Sequence, residues 1–211
     1  MEALKSFTEE AGFTQVVLGL SGGIDSALTA VMCVDAFGSG NVHGVLMPGP
    51  YSSAHSVEDA QALADALDIH TLTMPIVEPY EAFERVFNKA CGTPLEAAAA
   101  ENTQARCRTV CLMALSNSSG WLMVNTGNKS EAMMGYSTLY GDTAGAFAPL
   151  GGIYKTDVYA LANWRNAQAL REGKVAPIPQ NTLTKAPSAE LSPGQKDESA
   201  LGIRYADLDQ I

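Results

Sequence analysis

A doubly wound α/β fold, with a parallel sheet of about five strands and helices on both faces, is predicted by three features of the sequence. Short β-branched runs alternate with stretches of helical period. The helical stretches are long enough to cross over between parallel strands. The 211 residues, 46% hydrophobic and 17% charged, suffice for one buried core, so residues 1–211 are expected to form a single domain.

The elements follow in order. "TQVVLGL" (Thr14–Leu20) is a buried parallel strand by composition. From Ile24 the apolar positions Ile24, Ala27, Leu28, Val31 and Met32 have helical spacing. "GSGN" ends that helix, and "VHGVLMP" (Val42–Pro48) is the second strand. Ser56 and Asp59 have the spacing of a capping box, ahead of a helix with Val57, Ala60, Ala64 and Leu67 on one face. "IHTLTMP" (Ile69–Pro75) is the third strand, followed by helices over Pro79–Ala90 and Leu95–Asn117. "GWLMVNTG" (Gly120–Gly127) is the fourth strand, and Tyr154–Arg171 is helical again. Glu172–Glu198 holds Pro177, Pro179, Pro187 and Pro193 with little periodicity. It is expected to be a mobile loop acting as a lid.

Composition narrows the function. A formal charge of −10, with 13 Lys and Arg among 23 acids and no basic run, argues against a nucleic-acid partner. No apolar run approaches the roughly 20 residues that span a bilayer, and the N-terminus lacks a signal pattern, so a cytoplasmic location is expected. Cys33, Cys91, Cys107 and Cys111 form no CxxC, and His43, His55 and His70 lie apart from them. They read as small core residues in a reducing compartment, with Cys107, Val110, Cys111 and Ala114 marking the buried face of their helix.

The chemistry concentrates in "LGLSGGIDSALTA" (Leu18–Ala30), where a strand stops at two glycines and a helix begins. First-turn amides lack intrahelical partners and carry partial positive charge. Glycines let an anion approach them, and Ser21 and Ser26 add hydroxyls, which makes a phosphate cradle. The glycine pair alone reads first as a tight strand-to-helix turn, with Asp25 as a partner for the dipole; the whole S-G-G-x-D-S pattern, after a strand and before a helix, points to phosphate. It is not the Walker form, because no lysine stands in the turn. Asp25 answers that deficit by holding Mg²⁺ between itself and the phosphates.

"SGGIDS" resembles the pyrophosphate-binding loop of the ATP pyrophosphatases, whose fold is Rossmann-like (adenine nucleotide alpha-hydrolase-like). This superfamily includes NAD synthetases, GMP synthetases, asparagine and argininosuccinate synthetases and tRNA thiolation enzymes, and the loop does not choose among them. "ENTQARCRTVCLMALSN" (Glu101–Asn117), "TGNKSEAMMGYSTLYGD" (Thr126–Asp142) and "YKTDVYALANWRN" (Tyr154–Asn166) resemble NAD synthetase, particularly the synthetase domain of the glutamine-dependent type. So do "MPGPYSS" (Met47–Ser53), "KAPSAEL" (Lys185–Leu191) and "DESALGIRYADLD" (Asp197–Asp209).

The resemblance implies a ligase that adenylates the nicotinate carboxylate of deamido-NAD with ATP, releasing pyrophosphate, and then amidates it with ammonia to give NAD and AMP. It implies ATP on Gly19, Leu20, Ser21, Gly22, Gly23, Ile24, Asp25, Ser26, Thr126, Lys155 and Ser188. It implies Mg²⁺ on Asp25 and Glu131, and deamido-NAD on Asn102, Arg106 and Glu131. Asn102 and Arg106 share one helix face. Lys155 opens a helix, where the dipole disfavours a cation, and an ATP phosphate is the expected compensation. Asp142 matches an acid near the ammonia site. Lys129 reads equally as a surface lysine. Relatives carry Lys-Asp where this chain has Gly151-Gly152. The resemblance further implies a homodimer joined through Glu81–Asn117, a substrate-closing continuation after Ile211, and a glutaminase domain fused to the chain or serving it. A nucleotide-binding module without turnover is the competing expectation from a different class.

Overall fold

A computed structural model describes all 211 residues. It contains α1 (Glu2–Glu10), β1 (Val16–Gly19), α2 (Ile24–Phe37), β2 (Val42–Leu46), α3 (Ala54–Leu67), β3 (His70–Thr73), α4 (Val77–Cys91) and α5 (Ala97–Ser119). Then come β4 (Leu122–Met123), α6 (Lys129–Met134), α7 (Lys155–Arg171), α8 (Gln180–Thr184), α9 (Asp197–Leu201) and α10 (Tyr205–Leu208). The doubly wound expectation holds. The sheet is parallel throughout, in the order β3-β2-β1-β4.

The sheet has four strands where about five were expected. Beyond β4 a fifth strand is replaced by a single parallel bridge, Val124 to Phe147. Asn125 holds this edge together: its backbone N donates to Phe147 O at 2.9 Å, and its side chain donates to the carbonyls of Asp142 and Ala144 at 2.6 and 2.9 Å.

Alternation along β1 divides the core in two. Val16 and Leu18 face α1, α2, α3 and α7, in a cluster that also takes Leu4, Val31, Leu63 and Val158. Val17 faces the other way, with Val45, Ile76, Leu112 and Met123 beneath α5. Burying each such side chain contributes about 1.5–3 kcal/mol. α1, which the strand and helix patterning above does not predict, docks through Leu4 and Thr8, 1% and 0% exposed.

Three local expectations are corrected. The cap of α3 is Ser53, whose hydroxyl accepts from Ser56 N at 3.3 Å, so Ser56 and Asp59 lie inside the helix. The core-facing side of α5 runs through Gln104, Ala105 and Leu112, while Val110 is 69% exposed and Ala114 is also exposed. Helical period located that helix, but its two apolar stripes left the inward one ambiguous. Of the four free cysteines only Cys33 is fully buried, and Cys91 is exposed. No helix is long and apolar enough to cross a membrane.

One buried base sets a pH dependence. His43 of β2 stacks on Trp121 at 3.6 Å, and its Nε2 meets Gln15 Oε1 at 2.7 Å. That oxygen only accepts, so Nε2 carries the hydrogen; Nδ1 is buried without a partner. Burial, reinforced by nearby His70, lowers the imidazole pKa below its ordinary 6.5. The unfolded chain binds a proton that the native chain refuses, so this contribution is full above pH 6.5 and is lost as pH falls below it. The urea midpoint is expected to drop between about pH 7.5 and about pH 5.5, and to drop less in His43→Phe.

Candidate active site

In a doubly wound sheet the ligand crevice lies beyond the carboxyl ends of the strands, where the winding reverses. Here that point is between β1 and β4, which are direct neighbours. The turn after β1 and the turn after β4 open into one cavity of about 780 Å³, within the range of small-molecule sites.

The β1–α2 turn is held by its serines. The Ser21 and Ser26 hydroxyls lie 3.0 Å apart, Ser26 Oγ donates to Gly23 O at 3.1 Å, and Gly23 N donates to Ser21 Oγ at 3.2 Å. No side chain caps the start of α2, so its first-turn amides are left for a ligand. Gly22 has φ +77°, and a Cβ there would lie 2.2 Å from Ser56 O. Gly22→Ala combines a left-handed backbone with a backbone overlap and is expected to destabilise the chain by about 2–4 kcal/mol. Thermal denaturation checks it against Gly23→Ala, whose Cβ would meet only Ser21 Oγ, at 3.2 Å.

Asp25 and Glu131 converge from separate crossovers, and Lys155 stands between them. Its Nζ is 2.5 Å from Asp25 Oδ2 and 3.1 Å from Glu131 Oε1. The protein itself supplies Lys155 with two carboxylate partners, alongside the ATP phosphate expected from the sequence. Burial pulls the ammonium pKa down, but the two carboxylates outweigh it and hold it well above the ordinary lysine value. Glu131 is pushed up to about 7, first by burial and then by Asp25, with Lys155 opposing. Two carboxylates share one ammonium, so the cluster is short of positive charge.

Asn128, not among the residues expected from sequence, joins the two halves. Its Oδ1 accepts from Glu131 N at 3.0 Å and its Nδ2 donates to Asp25 Oδ1 at 2.9 Å. It completes a capping box with Glu131. The N-x-x-E spacing of "NKSE" was the available signal.

All the sequence-predicted site residues line the cavity except Gly22, Asn102 and Arg106. Gly22 lies just behind it, its carbonyl accepting from Thr182 Oγ1 at 3.2 Å. Asn102 Oδ1 accepts from Thr138 Oγ1 at 2.6 Å, and Arg106 Nε donates to Leu139 O at 3.1 Å. The pair therefore shares a face, as expected, but that face meets the 138–142 loop. Asp142 Oδ1 accepts from Thr138 N at 2.6 Å, and burial raises the carboxyl pKa. Thr126 stands at the exit of β4. Ser188 donates to Gln195 O at 2.6 Å and shapes the loop that roofs the cavity. Lys129 stands over the Tyr154 ring, 3.9 Å from its centroid, outside the cavity. Gly151 and Gly152 keep a turn, closed by Ile153 N on Leu150 O.

The 172–198 segment contains α8 and lies across the cavity mouth. Glu190 accepts from Ser53 N, Ser53 Oγ and Ser56 Oγ at 3.0, 2.7 and 2.8 Å. Lys185 bonds Asp59 Oδ2 at 3.0 Å. Arg108, also missed, enters the wall through Nε on Met47 O at 3.1 Å, and burial lowers its pKa.

Comparison with known proteins decides the family. The family model described as NAD synthase matches residues 1–211. The chain belongs to the NAD synthase family. It is 46% identical over 208 residues to a glutamine-dependent NAD(+) synthetase of Thermotoga maritima, which covers 99% of this chain but 35% of that protein. The chain thus spans about a third of that relative's length. It is 40% identical over 211 residues to an NH(3)-dependent NAD(+) synthetase of Wolinella succinogenes, covering 76% of that protein. Among solved structures, NMN synthetase from Francisella tularensis superposes with a TM-score of 0.85 at 32% identity, covering 98% of this chain and 80% of that one. The Rossmann-like fold of the NAD synthase family therefore agrees with the sheet order found here.

Proposed function

We propose that this chain forms NAD by amidating deamido-NAD, using ATP and ammonia. The observation that carries the reading is the Asp25–Lys155–Glu131 cluster at the lip of the uncapped α2 turn, inside a cavity of about 780 Å³.

In the first step the nicotinate carboxylate attacks the α-phosphorus of ATP, the bond from that phosphorus to the α–β bridging oxygen breaks, and pyrophosphate leaves, giving an acyl-adenylate. The amides after Ser21 and the first turn of α2 hold the phosphate oxygens. Lys155, fixed by two carboxylates, keeps its charge where negative charge develops. In the second step ammonia attacks the acyl carbonyl and AMP leaves. Asp142, its pKa raised by burial, is suited to take a proton from incoming ammonium. Asn102 and Arg106 serve deamido-NAD by shaping the 138–142 loop.

Asp25 and Glu131 suit Mg²⁺, because both carboxylates, when ionised, outnumber the single ammonium between them and present hard oxygen ligands to the cavity. Bound there, the ion would neutralise phosphate charge.

The homodimer reading rests on apolar exposure within Glu81–Asn117: Phe83 is 48%, Val86 66%, Val110 69% and Met113 38% exposed. Sedimentation of Val110→Asp checks it, with a shift toward monomer expected. Glutamine-derived ammonia would come from a glutaminase domain, as the name of the Thermotoga relative implies. Four free cysteines agree with a reducing, cytoplasmic compartment. The likeness to NMN synthetase favours one alternative substrate, the deamido mononucleotide.

The test is incubation with ATP, Mg²⁺, ammonia and either deamido-NAD or the mononucleotide, with products read by mass. NAD with AMP supports the proposal. NMN selects the alternative, and ATP binding without AMP release supports a binding module.

A further inference from the structure

The α7 helix begins at Lys155, yet its N-cap residue Tyr154 makes no capping bond. The capping comes from the far end of the sequence. Asp209 Oδ2 accepts from Thr156 N at 2.9 Å and from Thr156 Oγ1 at 2.8 Å. Its other oxygen, Oδ1, accepts from Ser130 Oγ at 2.5 Å. The Ser130 oxygen in turn accepts from Lys155 N at 2.9 Å. Ser130 is 1% exposed and immediately precedes Glu131.

One carboxylate thus pins the heads of two helices together, and each head carries a member of the charged cluster. Tyr205 of α10 lies on the same side, 4% exposed, with its ring centroid 5.3 Å from Lys155 Nζ. Without Asp209, Ser130 loses the acceptor that orients its hydroxyl, and Thr156 N in the first turn of α7 loses its cap. The spacing of Lys155 and Glu131 then rests on their ion pair, on the bond from Lys155 N to a Ser130 oxygen that is no longer oriented, and on the bond from Lys129 N to Ile153 O. A carboxylate at a helix start also offsets part of the repulsion between the dipole and Lys155.

We infer that Asp209 is a positioning residue for the reaction, acting through Ser130 and Thr156 to fix Lys155 and Glu131 against Asp25. The inference rests on the amide-forming reading for its effect on turnover, but its structural half stands independently. It assigns the "YADLD" segment a share in the site although Asp209 itself does not line the cavity.

The test uses Asp209→Ala, Asp209→Asn, Ser130→Ala and the Asp209→Ala/Ser130→Ala double variant. In the ammonia-dependent assay, Asp209→Ala is expected to lower kcat about 10- to 100-fold while KM for ATP stays within about twofold. Ser130→Ala should lower kcat similarly, and the double variant should be no worse than the worse single one, because both act through one relay. Asp209→Asn keeps one acceptor oxygen and should recover part of the loss, which also covers the case in which the alanine variant fails to fold. Hydrogen exchange gives a readout independent of activity. Amides of Lys155 and Thr156 should exchange at least about tenfold faster in Asp209→Ala, with the β1 amides unchanged.

Unaltered exchange at Lys155 and Thr156 would overturn the inference whatever the activity. So would wild-type kcat in Asp209→Ala, or effects that multiply in the double variant. If the wild-type chain makes no amide product while the exchange pattern appears, the amide-forming reading falls and the clamp stands.

Discussion

Replacing Lys155 with methionine is expected to lower kcat by about 10²–10³-fold, the loss typical of one preorganised donor in a site where charge develops. Its side chain is 3% exposed, and its partners Asp25 and Glu131 are 17% and 21% exposed. Methionine fills the volume but leaves two carboxylates facing each other. Breaking a buried pair costs about 3–5 kcal/mol. Here the cost should lie at or below the lower end, because Glu131, already pushed up to about 7, can take a proton and relieve the repulsion. Stability measured by urea unfolding should therefore fall by about 2–3 kcal/mol. Lys155→Arg keeps the charge but not the shape, since a planar fork cannot replace a compact ammonium between two carboxylates. It should restore stability better than turnover.

Asp25→Asn is expected to be the more severe lesion for turnover and the milder one for the fold. The amide oxygen can still accept from Asn128 Nδ2, which lies 2.9 Å from Asp25 Oδ1, so the start of α2 stays joined to the start of α6. What is lost is charge. Lys155 keeps only Glu131, and the carboxylate placed to face phosphate through a divalent cation is gone. A loss of at least about 10³-fold in kcat/KM is expected, equivalent to about 4 kcal/mol of transition-state stabilisation. The melting temperature without ligand should change little. Mg²⁺ with ATP should raise it in the wild-type chain by linkage, and much less in Asp25→Asn. An equal rise in both would remove the reason for assigning the cation to Asp25.

Much of this site was legible because its parts are local. "SGGIDS" places glycines, serines and an aspartate within six residues at the end of one strand, and strand-then-helix patterning places that turn at the carboxyl edge of the sheet. The adjacency of β1 and β4 follows from the doubly wound arrangement, and it brings Glu131 to Asp25. The partners of Lys155 were not legible, because an ammonium at a helix start accepts any nearby anion, and sequence does not say which arrives. Asn128 carried a local signal in "NKSE". Thr182, Glu190 and Asp209 carried none, since their bonds to Gly22, Ser53 and Thr156 span 160, 137 and 53 residues. The buried face of α5 was legible in part for a related reason. Cys107 and Cys111 of the expected stripe do pack against the cluster around Val17 and Leu112, but Val110 and Ala114 are exposed, and Gln104, Ala105 and Leu112 are the fully buried positions.

The account depends on one arrangement, polyphosphate on the amides of the β1–α2 turn beside Asp25, Lys155 and Glu131. A crystal structure with Mg²⁺ and a non-hydrolysable ATP analogue tests it directly. The account predicts phosphate oxygens within about 3 Å of the backbone amides between Ser21 and Ser26, with the cation on Asp25 and Glu131. A triphosphate seated away from that turn, or a cation that touches neither carboxylate, would contradict it.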